Sequence, residues 1–184
     1  MTKVDKKNQG SAVLLLDLLS QYGLVKTEVW LGEGFNKNCK WDGVWNGIAI
    51  EFDGPYHYQK PAQIFRDTKK TAHAKDIGMG LIRFPYWLAV DAESVKHFFG
   101  LDTNAPHNFP HGFPTTNELP SSFCEKGVAN FERDLALLSP NLKTAVIETL
   151  HKRAESLGID WVLPSTLQYI LSQSVDSKKI IPQR

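Results

Sequence analysis

The sequence is poor in cysteine. Its 184 residues contain two, Cys39 and Cys124, and no C-x-x-C pair. This argues against a thiolate zinc site and against a disulfide framework, and it fits a reducing, cytoplasmic environment. Long apolar runs are also missing, because the apolar stretch at 13–19 is far too short to span a bilayer. We therefore expect no membrane association.

The sequence also has no large excess of positive or negative charge. The formal net charge is +1, so any nucleic-acid partner must be bound by local clusters of Lys and Arg. The sequence has no G-x-x-x-x-G-K phosphate loop and no helix-turn-helix or zinc-finger pattern. A hydrophobic fraction of 42% and a charged fraction of 22% are ordinary for a globular protein, and the length predicts a single domain over 1–184.

A β-hairpin is predicted where Asn46-Gly47 separates two runs that alternate between apolar and other residues. A type I′ turn needs positive φ at both central positions, which Asn and Gly adopt most readily. This register places Asp42 opposite Glu51, and alternation adds Asp53 to the same face. The other face is predicted to be the core face and carries Trp41, Trp45, Ile48, Ile50 and Phe52.

Carboxylates that face each other across two strands repel, because their Cβ atoms lie about 4.5–5.5 Å apart. Such a pair needs a divalent cation, a raised carboxyl pKa or a neighbouring Lys. The register puts Lys40 opposite Asp53, where it can balance one charge but not three. We therefore expect a cation site of the Mg²⁺ type at Asp42, Glu51 and Asp53. The alternative is a solvated acidic face in a different register.

The segments around the hairpin predict the order helix, strand, strand, strand, helix, strand. Ser11 is a suitable N-cap for the first helix and Gly23 a suitable terminator. Asp17, the one charge in that helix, either lies on a wet edge or faces the acids. The flanking elements are a helix at 12–22, a strand at 26–32, a loop at 56–60, a helix at 62–77 and a central strand at 79–84.

The rest of the chain is predicted to be a loop followed by helices. A short helix at 92–100 comes first, and the segment 103–123 then holds four prolines with His107 and His111. No Cys or acid stands at ligand spacing there, so packing or partner contact is favoured over metal binding. Ser139-Pro140 gives an N-cap and an N1 proline for a helix that ends at Gly158. The predicted parts are a core at 11–102, the Pro-rich loop at 103–123 and a helical extension at 124–184 with a frayed end from 176.

Three pieces follow Asp42 in a fixed order: the run from Glu51 to His57, which reads E-F-D-G-P-Y-H, the run from Asp67 to Lys70, and a strand containing Arg83. An acid followed by E-x-D-G-x-x-H, D-x-x-K and such a strand resembles the PD-(D/E)XK nuclease superfamily. The similarity is to the branch of very-short-patch repair, homing and restriction endonucleases, and it covers about residues 11–87. Asp53 stands where many relatives have Lys, as in that branch. Relatives often carry a Glu in the first helix, where this chain offers only Asp17.

The resemblance implies an α/β fold with a restriction-endonuclease-like αβββαβ core and a mixed central sheet. It implies a Mg²⁺-dependent endonuclease for double-stranded DNA, either a restriction enzyme or the cleaving subunit beside a second subunit. Asp42, Glu51 and Asp53 would be the metal ligands and catalytic acids, and His57 would activate water or protonate the leaving group. The implied phosphate contacts or supporting residues are Asp17, Asp67, Lys69, Lys70 and Arg83. Arg83 could instead pair with Asp53.

Other functions remain open at this point. A mismatch-nicking or homing enzyme is an alternative within the same superfamily. A nuclease-like domain that has lost catalysis and binds only DNA or protein is an alternative of another class. Retention of all three acids favours activity over that reading. An enzyme for small phosphorylated substrates is disfavoured because no Gly-rich phosphate loop is present.

Overall fold

The computed structural model describes residues 6–105 and 109–172, with side chains from residue 11 onward. His107 and the segment from 176 fall outside these residues. The described chain is an α/β fold, and none of its helices is long and apolar enough to cross a membrane. Its elements are α1 (Lys6–Ser20), β1 (Val25–Trp30), β2 (Lys40–Trp45), β3 (Ile48–Asp53), α2 (Tyr56–Gln59), α3 (Pro61–Asp76), β4 (Leu81–Pro85), α4 (Ala92–Phe99), α5 (Glu125–Leu137), α6 (Pro140–Leu157) and α7 (Ile159–Val162), with short 3₁₀ turns at Thr116–Glu118, Pro120–Ser122 and Ser165–Leu167.

The four strands form one mixed sheet in the order β1-β2-β3-β4. The predicted hairpin is confirmed: Asn46 and Gly47 have φ values of 48° and 84°, and Trp45 pairs with Ile48. The pairing of β3 with β4 is parallel, with Glu51 opposite Arg83. The strand predicted at 79–84 therefore exists, but it lies at the edge of the sheet and not in its centre.

Helices cover both faces of this sheet. On one face, Leu15 and Leu19 of α1 join the main hydrophobic core, which also contains Trp45, Ile50 and Phe52. On the other face, Ala74 of α3 packs with Leu31, Trp41 and Ala49 in a second cluster. The predicted acids lie on the face of the sheet that α3 covers, so the charged side chains of α3 can pair with them.

Trp41 departs from the predicted alternation, which places it beside Trp45 on the main core face. Instead it packs in the second cluster, while Trp45 packs in the main core. The regular pairing of β1 with β2 skips Glu28 and Asp42, and Glu28 has a φ of 54°. The pleat is interrupted at Glu28 and Asp42. Trp41, which lies across this break from Trp45, therefore faces the opposite side of the sheet.

Two further elements differ from the predicted ones. Helix α1 begins at Lys6, well before residue 12, because Ser11 continues the helix instead of capping it. The predicted loop at 56–60 contains the single helical turn α2. The amide of His57 donates to the carbonyl of Gly54 at 3.0 Å, and that of Lys60 donates to the carbonyl of Tyr56 at 3.0 Å. These bonds wind the segment between two prolines into a turn that holds His57 against the sheet.

The helical extension packs directly on α2. The amide of Cys124 donates to the carbonyl of Tyr58 at 3.1 Å, and the Tyr58 hydroxyl donates to Asp134 Oδ2 at 3.0 Å. A Cβ on Gly127 of α5 would lie only 1.6 Å from the carbonyl oxygen of Tyr58. Since only a glycine permits this approach, α5 fixes the turn that carries His57. The predicted caps of α6 are confirmed, with Ser139 accepting from the Leu142 amide and Gly158 following the helix.

Candidate functional site

Charged side chains from β2, β3, α2, α3 and β4 meet beside the α3 face of the sheet. They form two adjacent groups on alternate residues of β3. We call Asp42, Glu51 and Lys70 the strand group, and Asp53, His57, Asp67 and Arg83 the histidine group. Helix α3 supplies both groups because Asp67 and Lys70 are three residues apart and therefore share its inner face.

The strand group is built around the buried carboxylate of Glu51, which is only 2% exposed. Lys70 Nζ lies 2.8 Å from each of its two oxygens and also donates to the carbonyl of Lys40 at 2.7 Å. The same ammonium lies 5.7 Å from the centre of the Trp41 ring. Lys70 thus provides the positive charge that a buried carboxylate requires.

Asp42 completes this group. Its Oδ2 accepts a hydrogen bond of 2.7 Å from the Phe52 amide, so the carboxylate is fixed against the strand that carries Glu51. Burial raises the pKa of Glu51, the charge of Asp42 raises it further and Lys70 opposes both, which leaves that pKa at about 7. A buried acid with so high a pKa gains stabilisation from any additional cation.

The histidine group is centred on the Nδ1 atom of His57. Nδ1 lies 2.8 Å from Asp67 Oδ2 and 3.1 Å from Asp53 Oδ1. Arg83 Nη1 donates to Asp53 Oδ1 at 2.5 Å, and Gln63 donates to Asp67 Oδ1 at 3.0 Å. Among the described residues Nε2 of His57 has no hydrogen-bond partner. Two carboxylates therefore orient the ring and leave one nitrogen available for proton transfer.

The electrostatics of the histidine group favour an imidazolium paired with a carboxylate. Burial works against a charged His57, but the hydrogen bond to Asp67 and the charges of Asp53 and Asp67 raise its pKa above the usual value. Burial likewise works against a charged Asp67, yet His57 and Arg83 lower its pKa. Burial raises the pKa of Asp53 while Arg83 and His57 oppose this. Arg83 stays charged because its neighbours raise its pKa.

The three predicted acids do not converge on one point. The sequence places Lys40 opposite Asp53, but Lys40 Nζ pairs with Glu28 at 3.0 Å, and Asp53 belongs to the histidine group. Nowhere in residues 6–105 and 109–172 do three or more His, Cys, Asp or Glu side chains form a group suited to a metal ion. The three predicted acidic ligands are therefore not assembled in this structure, because Arg83 and His57 pair with Asp53 instead.

Asp42 and Glu51 remain a chemically suitable pair for a hard cation. Both offer carboxylate oxygens, and Mg²⁺ commonly takes only one or two protein carboxylates and keeps several waters. Glu51 is buried beside a like charge, which is the environment that a cation relieves. A cation would have to compete with Lys70 for the oxygens of Glu51.

Two predicted supporting residues lie away from both groups. Asp17 is exposed on α1, whose buried residues pack on the face of the sheet away from the acids. Of the two alternatives for Asp17, the structure therefore agrees with the solvent-exposed edge. Lys69 is exposed on α3 and lies 4.6 Å from the centre of the Phe65 ring. Lys69 points outward because it is two residues from Asp67, slightly more than half a turn around the helix.

Sequence reasoning missed several residues that shape the site. Gln63 stands four residues before Asp67 on α3, so helical spacing could have identified it. Asp134 holds the ring of Tyr58 from 76 residues away, and no local pattern indicates that contact. His111, in the Pro-rich loop, is buried with its Nε2 atom 2.9 Å from Asp91 Oδ2, which agrees with a packing role.

Comparison of this chain with protein-family models, with curated proteins and with solved structures gives no match. The geometry of the two charged groups, together with the sequence motifs, is therefore the basis for assigning a function.

Proposed function

We propose that the protein is a Mg²⁺-dependent nuclease that hydrolyses phosphodiester bonds in DNA, on a restriction-endonuclease-like core. The observation that carries the proposal is the meeting of Asp42, Glu51 and Lys70. They come from β2, β3 and α3, and the motif order of the nuclease superfamily predicts that these segments come together. The order of α1, β1, β2, β3, α3 and β4, with β4 parallel to β3, also supports it.

Asp42 and Glu51 would hold the Mg²⁺ in this proposal. When bound, the ion supplies charge neutralisation at the phosphate and acidifies a water. The pKa of Glu51, raised to about 7 by burial and by Asp42, supports the assignment because the acid lacks full compensation from Lys70. Asp42 is kept in place by the Phe52 amide, so no rearrangement of β2 is needed.

Lys70 would also contact the substrate once the Mg²⁺ shares the carboxylate oxygens of Glu51. Its side chain is 17% exposed, whereas that of Glu51 is 2% exposed. A released Lys70 can donate to a phosphate oxygen, since an ammonium is a compact triple donor. The histidine group adds Arg83 as another positive charge on the neighbouring strand.

His57 is the proton-transfer group of the proposal. Asp53 and Asp67 hold its Nδ1, which leaves Nε2 to give a proton to the leaving oxygen. The hydrogen bond to Asp67 and the charge of Asp53 raise the pKa of His57 against the effect of burial, which shifts the ring toward its protonated form and favours the acid role over the base role. Replacing His57 by Ala is expected to slow turnover by about 100-fold while DNA binding changes little.

A second candidate is a nuclease-like domain that binds nucleic acid without cleaving it. It is favoured by a specific observation: Lys70 and Arg83 already neutralise Glu51 and Asp53 as ion pairs at 2.8 and 2.5 Å. In that case the same charges serve only to stabilise the fold. Activity measurements separate the two candidates.

The test uses supercoiled plasmid, the full chain and Mg²⁺, with Asp42→Asn and Glu51→Gln as near-isosteric variants. We expect nicked or linear product from the wild type and a loss of about 100-fold or more in each variant. Lys69→Met is the matched control, because Lys69 lies outside both groups, and it should cleave like the wild type.

Undiminished cleavage by Glu51→Gln, or cleavage in excess chelator, would reject the metal assignment. Absence of cleavage by the wild type, with DNA binding that persists in Glu51→Gln, would favour the second candidate. The circular dichroism spectra of all variants should match, which shows that the fold is intact.

A further inference from the structure

A cavity of about 760 Å³ lies next to the histidine group, between α3, β4, α4 and α5. Pockets that bind small molecules and cofactors have volumes of about 300–1,000 Å³. The strand group does not line it, whereas Asp53, His57, Asp67 and Arg83 do. The cavity is thus distinct from the proposed cation pair but adjoins it through β3, where Asp53 lies two residues after Glu51.

The walls of the cavity combine apolar surface with a few hydrogen-bonding groups. Thr68 and Thr71 of α3 and Asn130 of α5 contribute hydroxyl and amide groups. A planar heterocycle needs this combination, because its faces contact carbon while its edges need donors and acceptors. The apolar part is formed by Ile64, Leu81, Ile82, Phe98, Leu137 and Leu138.

The charged groups around the cavity suit a ligand with one anionic end. Lys75 and Arg133 are exposed at its border. Arg133 pairs at 2.7 Å with Asp134, which also lines the cavity, whereas Lys75 has no ion-pair partner among the described residues. His57 and Arg83 lie at the end nearest Glu51. A nucleoside monophosphate unit has both required parts, a flat base and a phosphate that can reach these cations.

We propose that this cavity binds the base of a single unpaired nucleotide, so that the adjoining phosphate lies between His57 and the Asp42–Glu51 pair. This inference rests on the proposed nuclease function and names its substrate class. A base inside the cavity cannot form Watson–Crick pairs, so the strand must be single-stranded, mismatched or locally opened. The protein should therefore prefer unpaired over fully paired DNA.

The first test measures binding of deoxyadenosine 5′-monophosphate to the full chain without metal, by NMR titration. Deoxyribose 5-phosphate, which has the phosphate but no base, is the comparison ligand. Ala72→Trp fills the cavity from α3, and Ala62→Trp places the same side chain on an exposed position of the same helix outside the cavity. We expect the nucleotide to bind at least about tenfold more tightly than the sugar phosphate, and Ala72→Trp but not Ala62→Trp to lose this difference.

The second test asks whether the nucleotide comes from a strand or from free solution. A single-stranded oligonucleotide and a duplex with one mismatch should compete with the mononucleotide at least about tenfold better than the paired duplex does. Competition by the mononucleotide alone would identify a pocket for free nucleotides and overturn the assignment to a DNA strand. Equal binding of the base-free sugar phosphate, unchanged binding in Ala72→Trp or no binding of any probe would overturn the cavity proposal.

The two proposals fail in different ways. Nucleotide binding is measured without metal and does not require Asp42 or Glu51, so a protein that never cleaves can still bind the base. Mg²⁺-dependent cleavage that Ala72→Trp leaves unchanged on both single-stranded and mismatched DNA would refute the cavity proposal and leave the nuclease assignment intact.

Discussion

Lys70 Nζ lies 2.8 Å from both carboxylate oxygens of Glu51, in a contact where Glu51 is only 2% exposed and Lys70 comes from the helix above. The pair joins α3 to β3 at the centre of the candidate site. It also accounts for how the hairpin can carry Asp42 and Glu51 on neighbouring strands. The acids are tolerated in the described structure because a protein cation stands beside them.

Replacing Lys70 by Met should destabilise the protein by about 3 kcal/mol, since it leaves Glu51 as a buried carboxylate without its partner. The measurement is urea unfolding near pH 8, above the pKa of about 7 that Glu51 has in the wild type, where burial and Asp42 raise the pKa and Lys70 opposes them. Lys69→Met on the same helix should change the free energy of unfolding by less than about 0.5 kcal/mol, because Lys69 is exposed.

The double variant Glu51→Gln, Lys70→Met tests whether Lys70→Met loses stability because Glu51 is left as an unpaired charge or because the packing of the Lys70 side chain is lost. Removing both charges takes away the unpaired carboxylate, so the double variant should recover at least about half of the stability lost in Lys70→Met. A double variant as unstable as the sum of the two single variants would show that the ion pair is not coupled and would contradict the assignment.

The His57–Asp67 pair should make stability depend on pH in a defined direction. The folded pKa of His57 is raised, so its contribution is fully present below the unfolded pKa of about 6.5 and is lost as pH rises through the folded pKa. The folded pKa of Asp67 is lowered, so its contribution is present above about pH 4 and disappears as pH falls through the folded pKa. Replacing His57 by Gln should therefore cost more stability at pH 5.5 than at pH 9.

Unfolding of the wild type and His57→Gln by urea at both pH values checks this. A cost that is constant, or that grows with pH, would mean that His57 is held neutral in the folded protein. That result would also remove the argument for His57 as a proton donor.

Gly127→Ala tests how the helical extension supports the site. In an exposed helix an alanine would be favourable, but here its Cβ would lie 1.6 Å from the carbonyl oxygen of Tyr58. We expect a loss of about 2 kcal/mol or more, with displacement of the α2 turn and slower turnover. Gly80→Ala is the matched control, because its Cβ would meet Ile48 at 3.5 Å, an ordinary contact.

Thermal unfolding combined with the plasmid assay measures both effects. If Gly127→Ala were as stable as the wild type, α5 would not fix α2 as described. If it lost stability but kept full activity, the position of His57 would not depend on the helical extension.

The parts of the fold that could be predicted are those that depend on local pattern. Asn46-Gly47 defined the hairpin register, and the helical period placed Asp67 and Lys70 on one face of α3. The α/β class followed from the order of these elements. The position of β4 at the edge did not, because the neighbours of a strand depend on the whole sheet.

The sequence allows the pairing of Arg83 with Asp53 as an alternative to a phosphate contact, and the structure contains that pair. The pairing of Lys70 with Glu51 could not be predicted, because the two residues are 19 positions apart and no spacing rule connects them. The position of Trp41 depends on the break at Glu28 and Asp42, and the sequence gives no signal for a positive φ at a glutamate. Simple alternation therefore placed Trp41 on the wrong face and gathered three acids that the structure divides into two groups.

The most direct measurement of the central claim is NMR broadening by substoichiometric Mn²⁺, which replaces Mg²⁺ at oxygen ligands and relaxes nearby nuclei. We predict that the signals of Asp42, Glu51 and Phe52 broaden first in the wild type and that Glu51→Gln abolishes this effect. Broadening confined to exposed acids such as Glu28 and Glu33, and equal in both proteins, would contradict a cation site at the Asp42–Glu51 pair.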